Sequence, residues 1–208
     1  MKKLVFLFLF GLSLSAQAQS EKFNNAMKTN LALFDSAKTS LDFQGIANSF
    51  ERIAAAEKNQ WLPYYYAGLA WSRIYWIDPT VDKEGNADKI KSDCDKAEAL
   101  EKNAEIMALR NIYETQLMLI DPQNRWQTNG AKASQYLQEG MKLDPNNPRL
   151  YYLQAMNLYG TPEAFGGGKA VAKPIFEKAL ALYKTFNVKP LYPNWGEKES
   201  ANMLAKCQ

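Results

Sequence analysis

Two independent sets of landmarks recur along this chain at nearly one interval. Helix-ending signals fall at Asp78-Pro79, Asp121-Pro122 and Thr161-Pro162, spaced by 43 and 40 residues. Apolar residues on alternate helical stretches fall at Phe50, Cys94, Leu137 and Phe176, spaced by 44, 43 and 39. One spacing from two unrelated markers is the mark of an internal repeat. Periods of this length belong to stacked units that cannot bury their apolar faces alone. The best-preserved copy is Gly140–Tyr159. It joins the end of one amphipathic helix to the start of another through the turn Asp144-Pro145-Asn146-Asn147-Pro148.

Apolar residues at helical spacing fill the intervals. Phe23, Ala26, Met27, Leu31 and Phe34 share one helical face, and Ile46, Phe50, Ile53 and Ala54 share the next. Trp61-Leu62-Pro63 opens a third helix, where proline is tolerated because the first turn has no donor to lose. Aromatic residues crowd this helix, from Trp61 to Trp76, and most of them are expected in the core. Thr80 to Ala87 reads as a polar loop, with Asn86 or Asp88 capping a helix through Glu101. Gln123 to Gly130 reads as another loop. Helices are expected over 104–120, 131–143, 148–159 and 169–186, the last kinked by Pro174. A final helix is expected from a cap at Asn194. Ala, Leu and Lys are abundant and β-branched residues sparse, which favours helix throughout.

These hairpins resemble the tetratricopeptide repeat. Gly68 and Trp71, then Ala133, Leu137, Gly140 and Pro145, occupy its small, aromatic and turn places. So do Leu150, Leu153, Ala155 and Leu158, followed by Ala172, Phe176 and Ala179. The middle unit departs, with Asn111 in place of a small residue and Cys94 in place of an aromatic. The period departs too: the usual repeat has about 34 residues, and the extra length is expected in the loops inside each hairpin. The stretches 161–170 (TPEAFGGGKA) and 193–196 (PNWG) are similar to small exported tetratricopeptide proteins of Gram-negative bacteria, many of them Bacteroidota. The resemblance implies an all-α fold, a right-handed α-solenoid of about four hairpins plus a C-terminal capping helix. Stacked hairpins are an architecture for binding; the resemblance itself implies no particular activity.

Lys2 and Lys3, the apolar run Leu4–Leu14 and the small-x-small triplet Ala16-Gln17-Ala18 form a secretory signal pattern. The run falls short of the roughly 20 residues needed to span a bilayer. Residues 1–18 are therefore expected to be cleaved after Ala18, leaving one domain, 19–208, in the periplasm or outside the cell. No transmembrane segment is expected in that mature chain. Without Lys2 and Lys3, 23 basic residues face 22 acidic ones, so no electrostatic case exists for nucleic acid. Cys94 and Cys207 would lie several helix layers apart, beyond the roughly 7 Å reach of a disulfide.

The chain has no His. That removes Ser-His-Asp and Cys-His catalysis and most zinc sites. Asp93 with Asp95, and Glu197 with Glu199, stand two apart on helices, face apart and read as solvated. Gly166-Gly167-Gly168-Lys169 precedes a helix but is no P-loop, since Ala170 replaces the Mg²⁺-holding hydroxyl. Asp82, Glu84, Asn86 and Asp88 lack the bidentate Glu of a calcium loop. No enzyme, cofactor or metal is expected.

Two surfaces remain. The concave groove would be lined by Tyr65, Leu69, Arg73, Arg149, Tyr152, Met156 and Tyr159. Aromatic and Arg residues are usual anchors of interfaces, so a peptide or protein partner is expected there. The alternative is a small-ligand-binding envelope protein using the loop edge of Arg125, Trp126, Phe165, Gly166, Gly167, Gly168 and Lys169. The segment Lys189 to Gln208 either caps the stack or folds back into the groove.

Overall fold

The computed structural model describes residues 21–208; the expected signal peptide and its cleavage point after Ala18 lie outside them. The described chain is all-helical. Residues 21–36 form α1, followed by α2 (Ser40–Glu57), α3 (Trp61–Ile77), α4 (Lys83–Leu100) and α5 (Ala104–Ile120). A one-turn α6 (Pro122–Arg125) and a π-turn (Trp126–Gly130) lead into α7 (Ala131–Leu143). Then come α8 (Pro148–Gly160), α9 (Lys169–Tyr183) and α10 (Glu197–Ala205). α3 packs on α4, α5 on α7 and α8 on α9, while α10 packs on α9. The result is a solenoid of hairpins with a closing helix.

The period seen in the sequence is a period of burial. Phe50, Cys94 and Phe176 are fully buried and Leu137 nearly so. Small residues let the helices approach. A Cβ at Gly68 would stand 3.0 Å from Leu109 Cδ2, and one at Gly140 would stand 2.7 Å from Leu150 Cδ2. Asn103 and Asn147 play one role in successive hairpins. Each side chain accepts from an amide of the helix it starts, α5 and α8 respectively, satisfying donors that a helix start leaves free.

The extra residues lie in longer helices in the first part of the chain, whereas α7 and α8 have 13 residues each and the extra length there lies in the connecting stretches 122–130 and 161–168. α2 to α5 each have 17 or 18 residues. α4 begins at Lys83 because Asp82, not Asn86 or Asp88, accepts from Gly85 N at 3.1 Å. Asn86 is instead buried and donates to the Trp71 carbonyl at 3.0 Å. The expected loop at 123–130 is helical and wide-turned. Asn129 donates to Glu114 at 2.6 Å, and Arg125 donates to the Leu117 carbonyl at 3.2 Å, which tie this stretch to α5. α10 starts from Gly196, whose amide donates to Glu199 at 3.1 Å, and not from Asn194. Cys94 and Cys207 are both free thiols.

Candidate functional site: a groove occupied by the C-terminal strap

Residues 184–196, between α9 and α10, form a strap that lies against α1, α3 and α8. Two prolines, Pro190 and Pro193, keep it from helix. Its docking is specific. Trp195 Nε1 donates to Tyr65 Oη at 2.8 Å, and Tyr66 Oη donates to the Leu191 carbonyl at 2.9 Å. The Trp195 carbonyl accepts from Tyr183 Oη at 3.0 Å. Ring edges add to this: Tyr192 meets Trp61 at 5.4 Å and Trp195 meets Tyr152 at 6.1 Å. Leu191 holds φ of 67°, a left-handed conformation that costs a bulky residue about 1–2 kcal/mol.

The sequence-defined groove residues separate into two sets under this strap. Tyr65, Leu69 and Arg149 are buried, while Arg73, Tyr152, Met156 and Tyr159 stay half-exposed. Arg149 is only 1% exposed. Its Nε donates to Glu105 Oε2 at 2.7 Å, its Nη2 pairs with Glu105 Oε1, and Asn147 donates to the same oxygen at 2.6 Å. Phe186 of the strap covers the guanidinium at 5.0 Å. Arg149 Nη1 is buried with no hydrogen-bond partner. Burial, then the nearby Glu105 carboxylate, pushes the Tyr65 hydroxyl well above its ordinary pKa, so it stays a neutral hydrogen-bonding group.

A cavity of about 220 Å³ lies between the strap and the groove wall. Leu31, Phe34, Tyr66 and Leu69 line one side; Leu191, Tyr192 and Trp195 line the other. A second, more open trough of about 460 Å³ runs between α1 and α2, past Leu33 and Leu41.

Arg125 and the glycines of the loop edge are engaged by their own neighbours. Arg125 is held by Glu84 at 2.5 Å and by the Leu117 carbonyl. Gly167 is packed so that a Cβ would strike the Thr161 carbonyl, and Gly168 N donates to the Leu158 carbonyl at 2.9 Å. The glycine run thus closes a turn onto the end of α8. Trp126 and Phe165 are 58% and 79% exposed, and Lys169 is also exposed. Trp76 departs from its aromatic neighbours: it lies at the end of α3 and is 62% exposed.

The two placements expected of 189–208 are both used, 184–196 folding back into the groove and α10 packing on α9; the individual contacts escape sequence reasoning, because Tyr65 and Trp195 are 130 residues apart. Only the aromatic residues of 192–195 give any signal.

Stacked hairpins around an aromatic groove define an all-helical solenoid. No family model matches the chain, and no curated protein matches it. It is similar to the solved structure of the HusA haemophore from Porphyromonas gingivalis, at 34% identity and a TM-score of 0.79. The match covers 91% of this chain and 92% of that one. The chain belongs to the family of that haemophore. This overturns the expected peptide or protein partner in the groove. A haemophore's ligand is a small molecule, and the strap fills the part of the groove an extended peptide would need. Among the described residues no helix is long and apolar enough to cross a membrane.

Proposed function

We propose that the protein binds haem, or a closely related flat tetrapyrrole, outside the cytoplasm and without transforming it. The observation that carries this reading is the similarity to a haemophore along nearly the whole of both chains. The seat proposed is the aromatic space on α1 and α3 that the strap partly fills. Phe34, Tyr66, Tyr192 and Trp195 line it, and aromatic walls suit a flat apolar ring. The absence of His takes away the usual imidazole ligand for haem iron. Affinity must then come chiefly from burying the ring.

Titration of the mature chain with haemin, followed by the Soret band and tryptophan quenching, tests this. Saturable one-to-one binding at micromolar concentration or tighter is expected. A titration curve equal to that of haemin in buffer counts against it. Export is checked separately: the protein recovered from the cell envelope or medium should begin at Gln19.

A further inference from the structure

The strap occupies the place a flat ligand would take, and we propose that the ligand displaces it. This rests on the haem-class reading above. The first observation is size. Ligand pockets are commonly about 300–1,000 Å³ and bury most of a drug-sized ligand, whereas the space beneath the strap is about 220 Å³. The groove wall cannot retreat, because Tyr65, Tyr66 and Leu69 belong to the packed α3 core. The strap is the movable side.

The second observation is how the strap is held. It contributes no helix, and two tyrosine hydroxyls, Tyr65 and Tyr66, tie it to α3. Its Leu191 sits in a left-handed backbone conformation, at φ 67°, that release would relax. Its inserted groups are themselves flat and aromatic. Trp195 lies edge-on to Tyr152 and hydrogen-bonded to Tyr65, so it acts as an internal stand-in for a ring bearing a polar group.

The third observation is what the strap covers. Arg149 keeps one buried guanidinium nitrogen, Nη1, without a partner. Phe186 lies over that guanidinium, and Gly196 packs near its stem, where a Cβ would be 3.6 Å from Arg149 Cγ. Moving the strap uncovers a cation with a free donor at the floor of an aromatic groove. A flat ligand carrying a carboxylate satisfies it: the ring replaces Trp195 against Tyr152, and the carboxylate meets Nη1. Haem-class tetrapyrroles bear such carboxylates.

The test uses the mature wild-type chain and iron-free protoporphyrin, which leaves proton spectra sharp. The indole N–H of Trp195, assigned with Trp195→Phe, should exchange with solvent at least tenfold faster at saturation than in the free protein. Trp195→Ala, with helicity unchanged, should bind protoporphyrin at least tenfold more tightly than wild type. The dimethyl ester should bind wild type at least tenfold more weakly than the diacid. Saturable binding with an unaltered Trp195 exchange rate overturns the displacement and leaves the haem-class reading standing. So does weaker binding by Trp195→Ala, which would make Trp195 a wall of a fixed pocket. Equal binding of ester and diacid removes Arg149 from recognition. No binding of protoporphyrin or haemin overturns both.

Discussion

The strap end of the groove and the loop edge each join neighbouring hairpins with an Arg–Glu pair, and the two pairs differ in almost everything else. Arg149 and Glu105 are sealed beneath aromatic side chains and share a third partner, Asn147. Arg125 and Glu84 meet at 2.5 Å with side chains 30% and 53% exposed. The same chemistry thus fixes one region and merely decorates the other. Water screens the outer pair, whereas the inner one has exchanged its hydration for a few directed bonds. A chain that buries an ion pair beneath a removable segment holds a prepared polar site; one that leaves it in solvent holds a surface contact.

Breaking the inner pair should have the largest effect. Glu105→Gln strands a buried guanidinium, and urea unfolding should show a loss of about 3–5 kcal/mol. A loss below about 1 kcal/mol would mean that water reaches Arg149 and that the strap seals poorly.

A buried carboxylate without such a partner sharpens the contrast. Asp93 is 1% exposed, neither oxygen has a hydrogen-bond partner, and Lys96 Nζ stays 3.9 Å away. Burial first, and Glu51 second, push its pKa from 3.8 to about 7. The folded chain therefore holds this proton longer than the unfolded one. The stability tied to it is intact below about pH 4 and is lost as pH rises through about 7. Asp93→Asn should raise stability by about 2–4 kcal/mol at pH 8, since raising a pKa by one costs the charged form about 1.4 kcal/mol. The gain should shrink as pH falls and vanish below about pH 3, under both the folded value and the unfolded 3.8. Thermal melts of both proteins across that pH range check this, and a gain independent of pH would contradict it.

The outer pair should yield the smallest effect. Glu84→Gln should cost no more than about 1 kcal/mol, and less still in high salt. A larger, salt-insensitive loss in urea unfolding would show that the loop edge is as firmly built as the strap end.

Legibility in the sequence follows the same division. Local and periodic features are readable: Phe50, Cys94, Leu137 and Phe176 mark buried helix faces, and Gly68 and Gly140 mark close approaches. These depend on spacing within a helix or between adjacent ones. Asp93 reads as solvated from its two-residue spacing with Asp95, yet α3 packs against it. A Cβ placed on Gly68 would stand 3.4 Å from the Asp93 Cβ. Arg149 lies on the groove stripe as expected, but its burial comes from Phe186 and the strap. No local pattern announces that a segment will dock on residues far earlier in the chain. The groove is legible, and so is the C-terminal segment as one of two alternatives for it, but no spacing chooses between capping and folding back, and the expectation of a peptide over a small ligand fails at that point.

The five tryptophans, at 61, 71, 76, 126 and 195, give the most direct measurement. Trp195 belongs to the strap and Trp61 packs against its Tyr192, whereas Trp126 lies on the loop edge and is exposed. Paramagnetic haemin broadens nearby proton signals, so one titration of the indole N–H resonances both detects binding and locates it. Early, saturable loss of the Trp61 and Trp195 signals, with Trp126 still sharp at one equivalent, is the predicted result. Loss of Trp126 first, with Trp195 sharp throughout, or five signals unchanged, would contradict it.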